Sequence, residues 1–191
     1  MQATQIRRRC HRLKAGAGVP AISHGDNILA MVGLLCMGKS DFEAINAFEE
    51  ESDAFFRRAM GMKTVPSEPT LRQRLDQLGV YDAASATPAA SRVRTVLLEE
   101  SAEMVRRHAP KLTACFGDWI PLDSDVSPFD NSNSCKQGVG WTYKKVDGYA
   151  PNFAYLGQEG YMVNCELRPG SQHCQCGTPA FLDESLKLAR Q

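Results

Sequence analysis

Asp123 and Asp125 stand one residue apart in Trp119-Ile-Pro-Leu-Asp-Ser-Asp-Val126, a segment that reads as a short, largely buried strand. Successive strand side chains alternate faces, so Ile120, Leu122, Ser124 and Val126 fall on one side and both carboxylates on the other. Such a strand either carries chemistry that needs paired acids, or simply ends in them where Ser127-Pro-Phe-Asp-Asn-Ser-Asn133 begins a turn. The residues alone leave both readings open.

Three further groups have chemical potential. Arg72, Gln73, Arg74 and Gln77 lie opposite Leu71, Leu75 and Leu78 on a polar helix, where they suit either a DNA backbone or groove or an ordinary solvated face. Tyr143, Lys144 and Lys145 occupy an alternating segment near the acid pair, either along a DNA backbone or as guards on a strand edge. Cys165, His173, Cys174 and Cys176 are metal-ligand types. A closed zinc site, however, usually shows two residues between paired cysteines, and Cys174-Gln-Cys176 has one.

The elements that must position these groups change character along the chain. Arg7, Arg8, Arg9, Arg12 and Lys14 form a basic arm, either a phosphate-contacting tail or a solvated terminus. Asp26 caps a buried helix through Ile28 to Cys36, ending near Gly38. Ser40 caps a second, with Phe42, Ile45, Phe48, Phe55 and Phe56 at helical spacing and Gly61 at its end. Ser67, with Pro69 in the first turn, opens a third that runs to Gly79. A small-residue linker, Tyr81 to Pro88, leads to a longer helix that reaches about His108 before Pro110. Alternating segments follow at Trp119 to Val126, Gly138 to Lys145, Ala150 to Leu156 and Gly160 to Leu167, with a hairpin signal at Gly157-Gln-Glu-Gly160. In the last segment Tyr161, Val163, Cys165 and Leu167 face one way. Thr178 or Pro179 then opens an amphipathic helix.

Composition excludes several classes. The 191 residues are 43% hydrophobic and 23% charged with zero net charge, so no whole-chain field argues for nucleic acid. No run of about 18 apolar residues exists to span a membrane, and no signal peptide is evident. Seven scattered cysteines are odd in number and unlike a secreted disulfide framework. A cytoplasmic protein is expected.

Leu122-Asp-Ser-Asp-Val126, Gly138-Val-Gly-Trp-Thr-Tyr-Lys-Lys145, Gly148-Tyr-Ala-Pro151, and Glu166-Leu-Arg-Pro-Gly170 followed by Gly177-Thr-Pro-Ala-Phe-Leu182 resemble, in this order, the DDE-type transposases of bacterial insertion sequences. Val65-Pro-Ser-Glu-Pro-Thr-Leu-Arg-Gln-Arg-Leu75 is similar to the N-terminal region of that group. The resemblance spans Asp26 to Gln191. It implies an α+β chain: a basic arm over 1–25, a helical DNA-binding region over 26–110, and over 111–191 the first three antiparallel strands and first helix of an incomplete RNase H-like fold.

In such enzymes two aspartates and a glutamate hold two divalent ions about 3.5–4 Å apart for phosphodiester cleavage and transfer, and oxygen ligands favour Mg²⁺. The resemblance makes Asp125 the first catalytic and metal-binding acid, with Asp123 as its substitute, and Arg72, Arg74, Tyr143, Lys144 and Lys145 the DNA contacts. The chain ends before the strand and helix that carry the other two acids. It is therefore expected to be a truncated transposase, inactive alone, or else a regulatory protein acting on transposon ends. It would partner DNA and, as a homo-oligomer or mixed oligomer, other transposase copies, and no membrane. One edge of the first strand is expected to be unpaired, leaving the isolated polypeptide poorly soluble or partly unfolded in its C-terminal half.

Overall fold

The computed structural model describes residues 5–13, 20–48, 54–84, 92–108 and 111–190. The chain divides into two compact units, Met1–Glu100 and Ser101–Gln191, and mixes helices with small antiparallel sheets.

In the first unit, helix α1 (Ile6–Cys10) lies within the stretch expected as a basic arm, where Ile6 and Cys10 are buried. Helix α2 (His24–Cys36) is central to this unit, with His24 through Ala30, Gly33 and Leu34 buried. Its cap is Ser23 rather than Asp26: the Ser23 hydroxyl accepts the Asp26 N–H at 3.0 Å. The buried Asp26 carboxylate instead accepts the Lys63 N–H at 3.2 Å and lies 3.6 Å from His11 Nε2. Gly38 ends the helix in the left-handed region (φ 72°), with Lys39 N–H bonded to Leu34 O at 2.9 Å and Gly38 N–H to Leu35 O at 3.0 Å.

The helix expected from Ser40 to Gly61 is two elements. A 3₁₀ helix (Glu43–Phe48) begins where Asp41 Oδ1 accepts the Ala44 N–H at 2.8 Å, and helix α3 (Ala54–Met60) follows. Of the residues at helical spacing, Ile45 and Phe56 are buried and the Phe48 and Phe56 rings stack with centroids 4.3 Å apart, whereas Phe55 is exposed. Helix α4 (Glu68–Ala84) continues past Gly79, buries Leu71 and Leu78, and packs on α2 and the 3₁₀ helix. The rest of the expected linker, with Pro110, lies outside the described residues. Helix α5 (Arg92–His108) contributes its first residues to this unit, and Arg9 pairs there with Glu99 at 2.6 Å and Glu100 at 3.2 Å. No helix among the described residues is long and apolar enough to cross a membrane.

Burial, and secondarily the charge of Glu100, pushes the Cys10 thiol up to about 11 from an ordinary 9.0. An unfolded chain ionises this thiol first as pH rises, so unfolding gains from alkali while the folded state does not. The contribution of Cys10 is therefore complete below pH 9 and declines toward pH 11, by about 3 kcal/mol in all. Urea unfolding followed by circular dichroism at pH 8 and 10.5 checks this. The loss should shrink in Cys10→Ala, and Cys10 should resist alkylation at pH 8 while exposed Cys36 reacts.

In the second unit the main sheet has the order β1 (Leu122–Val126), β5 (Asn152–Leu156), β6 (Tyr161–Glu166), antiparallel throughout. A smaller sheet joins β2 (Phe129–Asp130), β4 (Asp147–Tyr149) and β3 (Gly140–Trp141) in that order. Strand β1 starts at Leu122, since Pro121 has no N–H and Trp119 folds back onto Cys115 and Phe116. Nor is β1 largely buried: Asp123, Ser124 and Asp125 are exposed. Helix α6 (Thr178–Ala189) covers β5 and β6 instead, with Phe181 packed among Ala154, Leu156 and Val163.

Two further expectations are corrected. Only Gly140–Trp141 of the Gly138–Lys145 segment is a strand, because Thr142 N–H and Oγ both donate to Val146 O at 2.9 Å and close a turn in which Lys145 has φ 61°. In β6 the strict alternation fails. Ala154 pairs with Asn164 but Tyr155 with Met162, so Val163 is an extra residue in a bulge. Val163 and Asn164 are consequently both buried, and Asn164 Nδ2 donates to Ser185 Oγ of α6 at 2.9 Å.

Candidate functional site

The register sets Asp123 opposite Tyr155 and Asp125 opposite Phe153, so both acids share the β1 face that alternates with Leu122, Ser124 and Val126. Ser127 Oγ donates to Asp125 Oδ2 at 3.1 Å. The end of β1, including Asp125, forms one wall of a 690 Å³ cleft. Trp141 and Tyr143 from the small sheet and its turn form a second wall, and the loop from Gly170 into α6 forms a third.

Each wall is held by identifiable bonds. Tyr143 donates its hydroxyl to Val126 O at 2.9 Å, which fixes the ring beside β1. Ser124 Oγ donates to Asn152 Oδ1 at 3.1 Å, tying β1 to β5 through side chains as well as backbone. The loop is pinned by Arg168, which is only 2% exposed. Its Nε donates to Glu166 Oε2 at 2.8 Å and its Nη1 to Thr178 Oγ1 at 3.0 Å and Cys174 O at 3.4 Å, while its guanidinium lies 5.6 Å from the centre of the Phe181 ring. Within the loop, Gln175 N–H donates to His173 Nδ1 at 3.3 Å.

The structure thus brings Asp125 and Tyr143 into one cleft, with His173 and Cys174 in the loop wall. Lys144 and Lys145 follow Tyr143 in an exposed turn rather than on a strand. Arg72 and Arg74 belong to the first unit. Arg72 pairs with Glu68 at 2.6 Å and lies over the Phe42 ring at 5.4 Å, and Arg74 donates to Gln77 Oε1 at 2.8 Å. Nothing in the spacing of the sequence marks Trp141 as a cleft residue. The only signal for Asn152 was a polar residue at the head of an otherwise apolar strand.

Two divalent ions need several oxygen ligands in near-octahedral order. Among the described residues no three or more of His, Cys, Asp and Glu are grouped so as to hold a metal ion, and β1 offers Asp125 and Asp123 alone. This donor set does not fit a Mg²⁺ pair. Of the zinc-type residues, Cys165 lies on β6, and Cys174 and Cys176 are exposed thiols in the loop.

Turn chemistry completes the surroundings. Asp130 accepts Ser132 Oγ at 2.6 Å and Ser132 N–H at 2.9 Å, and these bonds hold its carboxyl below the ordinary range. Compared with known proteins, the chain matches no family model, no curated protein and no solved structure.

Proposed function

We propose that residues 111–191 are the opening part of an RNase H-like nucleotidyl-transfer domain of the DDE transposase type, attached to a helical DNA-binding region. One observation carries this reading. The three longer strands pair antiparallel in chain order, a helix packs on β5 and β6 directly after the third, and an aspartate of the first strand lines a cleft. That order supports the reading, in which Asp125 serves as the first acid of the site.

In this reading the chain binds transposon-end DNA through Arg72 and Arg74 in one unit and Tyr143, Lys144 and Lys145 in the other, joins other transposase copies, and so regulates events at those ends.

Binding to duplex ends of the parent element, against random duplex of equal length, tests the proposal. Preference for the ends is expected, with an affinity that falls by a log–log slope of about −0.9 per phosphate contacted as salt rises. Arg72→Ala with Arg74→Ala should flatten that slope by about 2. Equal affinity for ends and random DNA would remove the regulatory reading. Mg²⁺-dependent strand cleavage that disappears in Asp125→Asn would show a working enzyme instead.

A further inference from the structure

We infer that the cleft beside Asp125 binds a single unpaired nucleobase, hydrogen-bonded by Asn152 and stacked on Trp141 or Tyr143. The inference rests on the DNA reading above and names what its second unit holds.

Asn152 is 1% exposed and forms part of the cleft wall. Its Oδ1 is taken by Ser124, whereas Nδ2 has no hydrogen-bond partner. Turning the amide over does not help, because the carbonyl oxygen then becomes the unpartnered atom. Buried amide groups are normally satisfied, so the fold keeps an unmet polar atom at a cavity wall. A ligand edge with the complementary group would meet it.

The remaining walls narrow the ligand class. No Lys or Arg lines the cleft among the described residues, and Asp125 does, so a phosphate has no counter-charge there. Trp141 and Tyr143 are 61% and 65% exposed, large aromatic areas left open to solvent. The Tyr143 ring is already fixed by its bond to Val126 O, so little ordering is lost when a flat ligand stacks on it. A neutral planar ring with a hydrogen-bonding edge meets all three conditions, and the 690 Å³ volume is within the roughly 300–1,000 Å³ of small-ligand sites. A nucleobase in a duplex offers neither a free face nor its pairing edge, so the base must be unpaired.

The test uses the full chain and three end-labelled probes read by fluorescence anisotropy. They are a short oligothymidylate, an abasic deoxyribose-phosphate oligomer of equal length, and a duplex. The oligothymidylate should bind at least about fivefold more tightly than the abasic oligomer, the lower limit for one stacked base. Asn152→Leu should abolish that difference while leaving the urea midpoint unchanged or raised, since an unmet amide is removed and exposed Ser124 returns to water. Exposed Trp141→Ala combined with Tyr143→Ala should abolish it too, and serves if the leucine variant does not fold. Equal binding of both oligomers, or a difference that survives in both variants, overturns the inference, and water alone then satisfies Asn152. If duplex and both oligomers bind alike, the DNA reading stands and the base site falls. If nothing binds, both fall.

Discussion

Gly148→Ala should destabilise the second unit by roughly 3 kcal/mol or more, the upper end of what overpacking costs. Gly148 is buried in β4, the middle strand of the small sheet. A methyl group there would overlap the Phe129 carbonyl oxygen, lie 2.9 Å from the Phe129 carbonyl carbon and come within 3.2 Å of the Asn131 nitrogen. These are backbone atoms, which cannot swing aside as a side chain can. Gly170 has the same constraint from the other direction, since its Cβ would strike the carbonyl oxygens of Gly140 and Gly148. Three backbones meet there without side chains, and through them the turn bearing Tyr143 is seated against the loop after β6.

Both tryptophans, Trp119 and Trp141, belong to this unit, so urea unfolding followed by their emission reports it selectively. A loss below 1 kcal/mol would mean that the strands can separate at little cost. Gly79→Ala is the contrast. Its added Cβ on α4 meets nothing within 4 Å, and it should stabilise the first unit by about 0.5–1 kcal/mol through helix propensity.

Arg168→Ala should cost the second unit about 3 kcal/mol, near the lower end for breaking a buried ion pair. The guanidinium binds the Glu166 carboxylate, the Thr178 hydroxyl and the Cys174 carbonyl at once, spanning β6, the loop and the start of α6. Glu166 is about one-third exposed, with side-chain exposure of 32%, so water recovers it in part and the loss stays below the largest values known for such pairs. Arg168→Lys should be nearly as damaging, because one ammonium cannot reproduce the planar fork. A double-mutant cycle with Glu166→Gln isolates the pair, with an expected coupling of about 1–2 kcal/mol. Additive losses would place the role of Arg168 in the loop rather than in the ion pair.

Local chemistry was legible in the sequence where it acts within a few residues. Gly38 and Gly61 end their helices as expected, Thr178 opens α6, and Gly157 to Gly160 closes the hairpin, with Gly160 N–H donating to Gly157 O at 3.1 Å. Ser23 and Asp26 are both good caps three residues apart, and only the bond itself decides between them. The bulge at Val163 left no mark on the spacing of its strand, so the faces assigned to Tyr161 through Arg168 could not all hold. The cleft depended on longer-range facts. Asn152 enters it because Val126 pairs with Asn152, and Tyr143 because a turn replaces the expected strand. Neither register nor turn geometry follows from alternation alone.

The outer edge of β1 is chemically specific. Ser127 N–H bonds to Pro151 O, and Gly157 N–H to Pro121 O, so by antiparallel alternation Asp123 and Asp125 turn their backbones toward β5. Leu122, Ser124 and Val126 turn theirs outward, and one of those carbonyls, that of Val126, is already occupied by Tyr143. A visiting strand would therefore find its anchorage at Leu122 and Ser124 and be stopped at the Tyr143 end. Docking there would also carry its side chains to within about 4.5–5.5 Å of those on β1, next to Asp123 and Asp125. Self-association along this edge and the delivery of a new functional group to the acid pair are then one event, and a mutation that blocks the first would forfeit the second.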